Sequence, residues 1–119
     1  DPDFQSYLRS RLCRGPGETL LVVFCDNNGR YLIDEEMGWA GAQHVRVDVA
    51  NLFRRALSVG AASLFLAHNH PSGNCQPSEE DITATRELAN AGHVLGLEIL
   101  DHLIITHDKA YSMRAGGEC

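Results

Sequence analysis

The stretch that most limits what this chain can fold into is residues 62–67, a short and almost wholly apolar run set between two segments with helical spacing. A run of that length without polar alternation suits a strand buried on both faces, and such a strand requires helices packed against its sheet. On one side, Val49, Leu52, Phe53, Ala56 and Leu57 recur at i, i+3, i+4, i+7 and i+8, with Asp48 as the expected N-cap and Gly60 as the stop. On the other, a helix is expected from Ser78 to near Gly96, with Ile82, Thr85, Leu88, Ala89 and Leu95 facing inward.

The remaining elements are consistent with that layering. Phe4, Tyr7, Leu8 and Leu12 mark a short amphipathic helix ahead of the turn signal Gly15-Pro16-Gly17. Residues 19–25 and about 30–37 are extended candidates joined by Asp26-Asn27-Asn28-Gly29, the pattern of an antiparallel hairpin, and Gly38 and Gly41 mark an irregular exit. Residues 97–106 are mostly β-forming, and a last short strand is expected around residues 111–113. Helices that separate strands predict a layered α/β sheet sandwich in a single domain over residues 1–119, with 1–17 as its N-terminal helix and turn.

Composition narrows the partners. The formal charge of −6 and pI near 5.4 argue against autonomous, charge-driven binding to nucleic acid, which needs a clustered cationic face. No apolar run approaches the roughly 20 residues of a membrane span, so no membrane partner is expected. The four cysteines form no C-x-x-C pair and no dense framework, which predicts free thiols and a reducing, cytoplasmic setting.

The chemistry concentrates in "HNHPSGNCQPSEED", residues 68–81, at the end of the buried strand. Side chains two apart on an extended backbone point the same way, so His68 and His70 can converge on one ion while Asn69 faces elsewhere. Asp81, in the first turn of the next helix, can be aimed back at that loop, and two histidines with one carboxylate leave a fourth position open, as in a catalytic zinc site. Ser78-Glu79-Glu80-Asp81 is equally a helix-capping sequence. Capping accounts for Ser78 and Asp81 without accounting for the two histidines.

His68-Asn69-His70, then Ser78 and Asp81 after spacings of seven and two residues, resembles the H-x-H-x7-S-x2-D signature of the JAMM (MPN+) metalloproteases. Within that family, "AHNHPSG", "PSEEDI" and "LDHLII" are similar to the RadC-like JAB domain, and the likeness runs from about Leu20 to Met113. The resemblance implies a three-layer α/β/α, cytidine-deaminase-like (JAB/MPN) fold and one Zn2+ held by His68, His70 and Asp81. It also implies a Ser78 hydroxyl that stabilises an oxyanion, and scission of an amide or isopeptide bond in a protein or peptide substrate. For the general base the expected place is a strand well before the histidines, where Glu35 and Glu36 compete. An ungapped comparison favours Glu35, a shift of one residue that aligns Gly41 favours Glu36, and Glu35 is taken as the base; neighbours on a strand face opposite ways, so one alone can serve.

Two other readings stand beside this one. A DNA-repair-associated protein acting on nucleic acid is possible by family resemblance but is not supported by the charge. A non-catalytic module would keep zinc for stability alone. A zinc deaminase would need H-x-E and P-C-x-x-C, and neither occurs. Asn74 and Cys75 stand where the family usually has an acidic residue and a proline. Cys75 is read as an inconsequential loop residue, His102 as a structural hydrogen-bonding group, and His44, His93 and His107 as surface residues.

Overall fold

A computed structural model describes residues 2–13, 17–38 and 49–119. The expected Asp48 cap, the Gly15-Pro16 turn, Gly41 and His44 lie outside the described residues. In chain order the elements are α1 (Pro2–Leu12), β1 (Thr19–Cys25), β2 (Tyr31–Gly38), α2 (Val49–Ser58), β3 (Ser63–Asn69), α3 (Glu79–Val94), β4 (Glu98–Ile105) and β5 (Ala110–Ser112). The strands form one mixed sheet in the order β2-β1-β3-β4-β5, with β3 and β4 parallel and the other neighbours antiparallel.

Strand alternation divides the apolar residues between two layers. Leu20, Val22, Phe24, Leu64 and Leu66 pack against Leu52, Phe53 and Ala56 of α2 and Leu88 of α3. Leu21, Val23, Cys25, Ala67, Leu103 and Ile105 meet Leu8 and Leu12 of α1 on the opposite face. The result is the expected α/β/α sandwich, consistent with a JAB/MPN fold, and β3 at its centre is buried along nearly its whole length. Each fully buried leucine contributes about 1.5–3 kcal/mol, so this central strand is the least movable support for a site at its end. Among the described residues, no helix is long and apolar enough to cross a membrane.

Two local departures from regularity shape the end of β3. The helix expected to reach Gly96 ends at Val94, so Leu95 is a C-cap residue, 47% exposed and not inward, while Leu97 turns into the core. The register between β3 and β4 slips between Leu64 and Phe65, so that Leu64 faces Ile99 but Leu66 faces His102. A one-residue slip reverses the face of everything beyond it. His102 is thereby turned to the α2/α3 side, the side of His68.

Candidate metal centre

The sheet delivers its histidines where a parallel strand runs out and a helix begins, the usual place for ligands in α/β folds. His68, next to last in β3, has no exposure, and the chain turns through Pro71 to Gly73 before α3 starts. Ser78 is the N-cap of α3: its oxygen accepts the Asp81 N–H at 3.0 Å, and its own N–H donates to Asp81 Oδ2 at 3.0 Å. This capping box points the Asp81 carboxylate back toward β3. Cap and site are thus one arrangement, because the contact that ends the helix also orients the carboxylate.

His68 Nε2 lies 3.0 Å from His70 Nε2, His70 Nε2 lies 3.2 Å from Asp81 Oδ2, and His68 Nε2 lies 3.5 Å from Asp81 Oδ1. A tetrahedral ion with bonds of about 2.0–2.1 Å sets its ligand atoms about 3.3 Å apart. The three separations bracket that value. His70 Nδ1 is 2.8 Å from the Asn74 carbonyl, which can only accept, so this nitrogen carries the hydrogen and Nε2 is left to face the group. The donor set and its spacing therefore fit a divalent ion.

The charges agree with that arrangement. Burial alone would raise the pKa of Asp81, but the facing His68 and His70 imidazoles and the bond from the Ser78 N–H outweigh it and hold the carboxyl well below the usual carboxylate range. The adjacent Asp81 carboxylate raises the pKa of His70 against the opposing effect of burial. His102 is fully buried, and burial pushes its imidazole well below the ordinary value, so it is neutral.

A further carboxylate stands at the site, and it is not the expected one. Glu18, His68 and His70 offer ligand atoms that all lie within 4.8 Å of one another. Glu18 sits two residues before Leu20, the β1 residue paired with His68, so strand alternation turns it to the histidine side. Asn69 holds it there: its Oδ1 accepts the Thr19 N–H at 2.8 Å and its Nδ2 donates to the Gly17 carbonyl at 2.8 Å, gripping the backbone on either side of Glu18. Glu35 shares the sheet face of His68, being paired with Val22, but its carboxylate is ion-paired with Arg55 of α2. Glu36 is paired with Leu21 on the other face and lies 3.4 Å from Arg11. The fold thus gathers Glu18 with the histidine pair in place of the expected Glu35. A Glu immediately before a strand, in phase with that strand's inward residues, was the signal available in the sequence.

Ser78 shares an open cleft of about 390 Å³ with Glu18, His70, Ser72, Asn74 and Asp81. Behind the centre, His102 Nε2 lies 2.7 Å from His68 Nδ1. Cys75 is half-buried in the loop, and His93 and His107 are exposed, as expected.

Residues 2–118 match the RadC-like JAB domain. The chain belongs to the RadC-like JAB family. It is 34% identical over 113 residues to a UPF0758 protein of Carboxydothermus hydrogenoformans, a match that covers 95% of this chain and 50% of that one. UPF0758 proteins of Rhodobacter capsulatus and Flavobacterium johnsoniae are 37% identical over 111 residues and 40% identical over 97 residues. Those matches cover 93% and 82% of this chain and 52% and 42% of theirs, so the chain spans about half the length of these relatives. Membership of the family allows hydrolase chemistry, and the histidine and carboxylate cluster of this JAB domain is able to bind a metal.

Proposed function

We propose that this domain is a zinc-dependent hydrolase of the JAMM type that cleaves an amide or isopeptide bond, with His68, His70 and Asp81 holding the ion. The observation that carries the reading is the near-tetrahedral spacing of these three groups, with a second carboxylate, that of Glu18, beside them. When bound, the ion supplies Lewis acidity, which acidifies water toward neutrality and polarises a carbonyl. Glu18 takes the base role in place of Glu35. Its carboxylate is exposed to the cleft, within reach of an attacking water, and can pass the proton on to the leaving nitrogen.

Ser78 contributes the remaining donor. Its oxygen accepts from the Asp81 N–H, so its hydroxyl hydrogen can be offered to the oxyanion that develops in the cleft. Two carboxylates at the site and the net charge of −6 favour a neutral amide in a protein or peptide over a phosphodiester.

The test begins with metal content by plasma emission on untagged protein. About one zinc per chain is expected in the wild type and almost none in folded His68→Ala or Asp81→Ala variants. Hydrolysis of fluorogenic peptide and isopeptide substrates then compares Glu18→Gln with Glu35→Gln. Glu18→Gln should keep its zinc and lose about a hundredfold or more in rate, as removal of a general base does, while Glu35→Gln keeps both. A folded, zinc-supplemented wild type without metal sinks the enzyme reading, and an active Glu18→Gln beside an inactive Glu35→Gln returns the base to Glu35.

A further inference from the structure

A buried chain of polar groups runs away from the centre into the layer between the sheet and α3. His68 Nδ1 is 2.7 Å from His102 Nε2, His102 Nδ1 is 2.6 Å from Thr85 Oγ1, and Thr85 Oγ1 is 3.8 Å from Met113 Sδ. His68, His102, Thr85 and Met113 all have no exposure. Among the described residues no buried side-chain nitrogen or oxygen lacks a hydrogen-bond partner, so the chain is internally complete. The β3–β4 register slip puts His102 in line, and a bond from the Met113 N–H to the His102 carbonyl at 3.0 Å holds the thioether beside Thr85.

The Thr85 hydroxyl has one hydrogen and two acceptors in reach, His102 Nδ1 and the weakly accepting Met113 Sδ, so the chain can run in two directions. With the hydrogen directed to the sulfur, the Thr85 oxygen accepts from His102 Nδ1–H. A neutral imidazole that donates at one nitrogen accepts at the other. In that direction His102 Nε2 accepts from His68 Nδ1–H and His68 presents an unprotonated Nε2 toward His70 and Asp81, the state that the ion-sized spacing of these groups calls for. Reversing the chain would have Thr85 donate to His102 and His102 donate to His68 Nδ1, which would leave the hydrogen on His68 Nε2 and block it as a ligand.

We propose that Thr85 and His102 are positioning residues, a relay anchored on the Met113 sulfur that locks His68 in the tautomer able to bind a metal through Nε2. The proposal deepens the zinc reading and rests on it for its consequence, but the tautomer itself exists without metal. Metal-ligating histidines commonly have such an outer partner, and its loss typically weakens metal binding by about 10- to 100-fold. In this domain the partner is a second histidine, whose direction is set two residues further from the centre.

The first test is the long-range 1H–15N spectrum of the histidine rings in the metal-free wild type, with zinc affinity measured by chelator competition alongside. The spectrum should show His68 and His102 both protonated at Nδ1, and an Nε2-protonated His68 overturns the relay without any variant. Thr85→Val keeps the shape and removes the acceptor of the His102 hydrogen, so it should move the His68 hydrogen to Nε2 and weaken zinc binding about tenfold or more. Thr85→Ser should restore both to within a few-fold. Unchanged tautomer and affinity in Thr85→Val, or an equal loss in Thr85→Ser, refutes the proposal. A wild type that binds no zinc but shows the expected tautomers would overturn the hydrolase function and leave the relay standing.

Discussion

Replacing Asn69 with alanine should release Glu18 while leaving His68, His70 and Asp81 in place. Asn69 is 2% exposed, and both its side-chain bonds, at 2.8 Å, go to backbone flanking Glu18. Losing two such bonds and leaving a donor and an acceptor without partners costs about 2–4 kcal/mol of local order. At about 1.4 kcal/mol per factor of ten, the Thr19 amide should exchange with solvent about thirtyfold to nearly a thousandfold faster, measured by hydrogen-exchange NMR. Zinc affinity should stay within about threefold of wild type, because Asn69 faces away from the two histidines, and the proposed hydrolysis should fall as Glu18 loses its place. Unchanged exchange at Thr19 would show that Asn69 does not clamp this segment. Loss of zinc together with faster exchange would mean that it supports the ligands and not the base.

Acid stability should depend on Asp34. Burial alone would raise its pKa, but bonds from Tyr7, Arg11 and Tyr31 outweigh that and lower it. A carboxyl depressed in the folded state stabilises above its unfolded value of about 3.9, and that stability is lost as pH falls through the folded value. Urea unfolding should therefore find Asp34→Asn less stable by about 1–2 kcal/mol at pH 7 and the gap closing below pH about 4, whereas a gap independent of pH refutes the assignment. Gly92→Ala gains about 1 kcal/mol of helix propensity, but its Cβ would sit 2.5 Å from the Leu97 carbonyl oxygen, which the chain cannot easily move because the Leu97 N–H bonds Gly92 O at 2.7 Å. Overpacking of this kind costs about 1–3 kcal/mol, so Tm should fall by several degrees, and a Tm at or above wild type contradicts the close approach.

Much of the architecture was legible because it arises from local periodicity. The apolar run of β3, the 3.6-residue spacing of α2 and the turn chemistry of residues 26–29 are short-range signals, and the strands and helices follow them closely. The inward set of α3 was legible except at Leu95, where the helix has already stopped at Val94 and Gly96, at φ +75°, redirects the chain. The centre was legible where its groups are close in sequence. His68 and His70 are two apart where β3 runs out, and Asp81 is held by the capping box with Ser78, so local geometry brings them near one another.

What depends on register was not legible. Glu18 lies fifty residues from His68 and is placed by the pairing of Leu20 with His68 and by the grip of Asn69 on the strand entrance. Glu35 carries as good a sequence argument, yet Arg55 of α2 pairs with its carboxylate. His102 reaches His68 only because one extra residue in β4 reverses its face. By itself the sequence determined the elements, the layering and the grouping of His68, His70 and Asp81, since each arises within a strand or across one helix cap. Only the tertiary structure decided which carboxylate joins the histidines and which buried chain supports them, because side-chain facing in a sheet has a period of two, and a single slip in strand pairing, invisible in the residues themselves, exchanges the two faces.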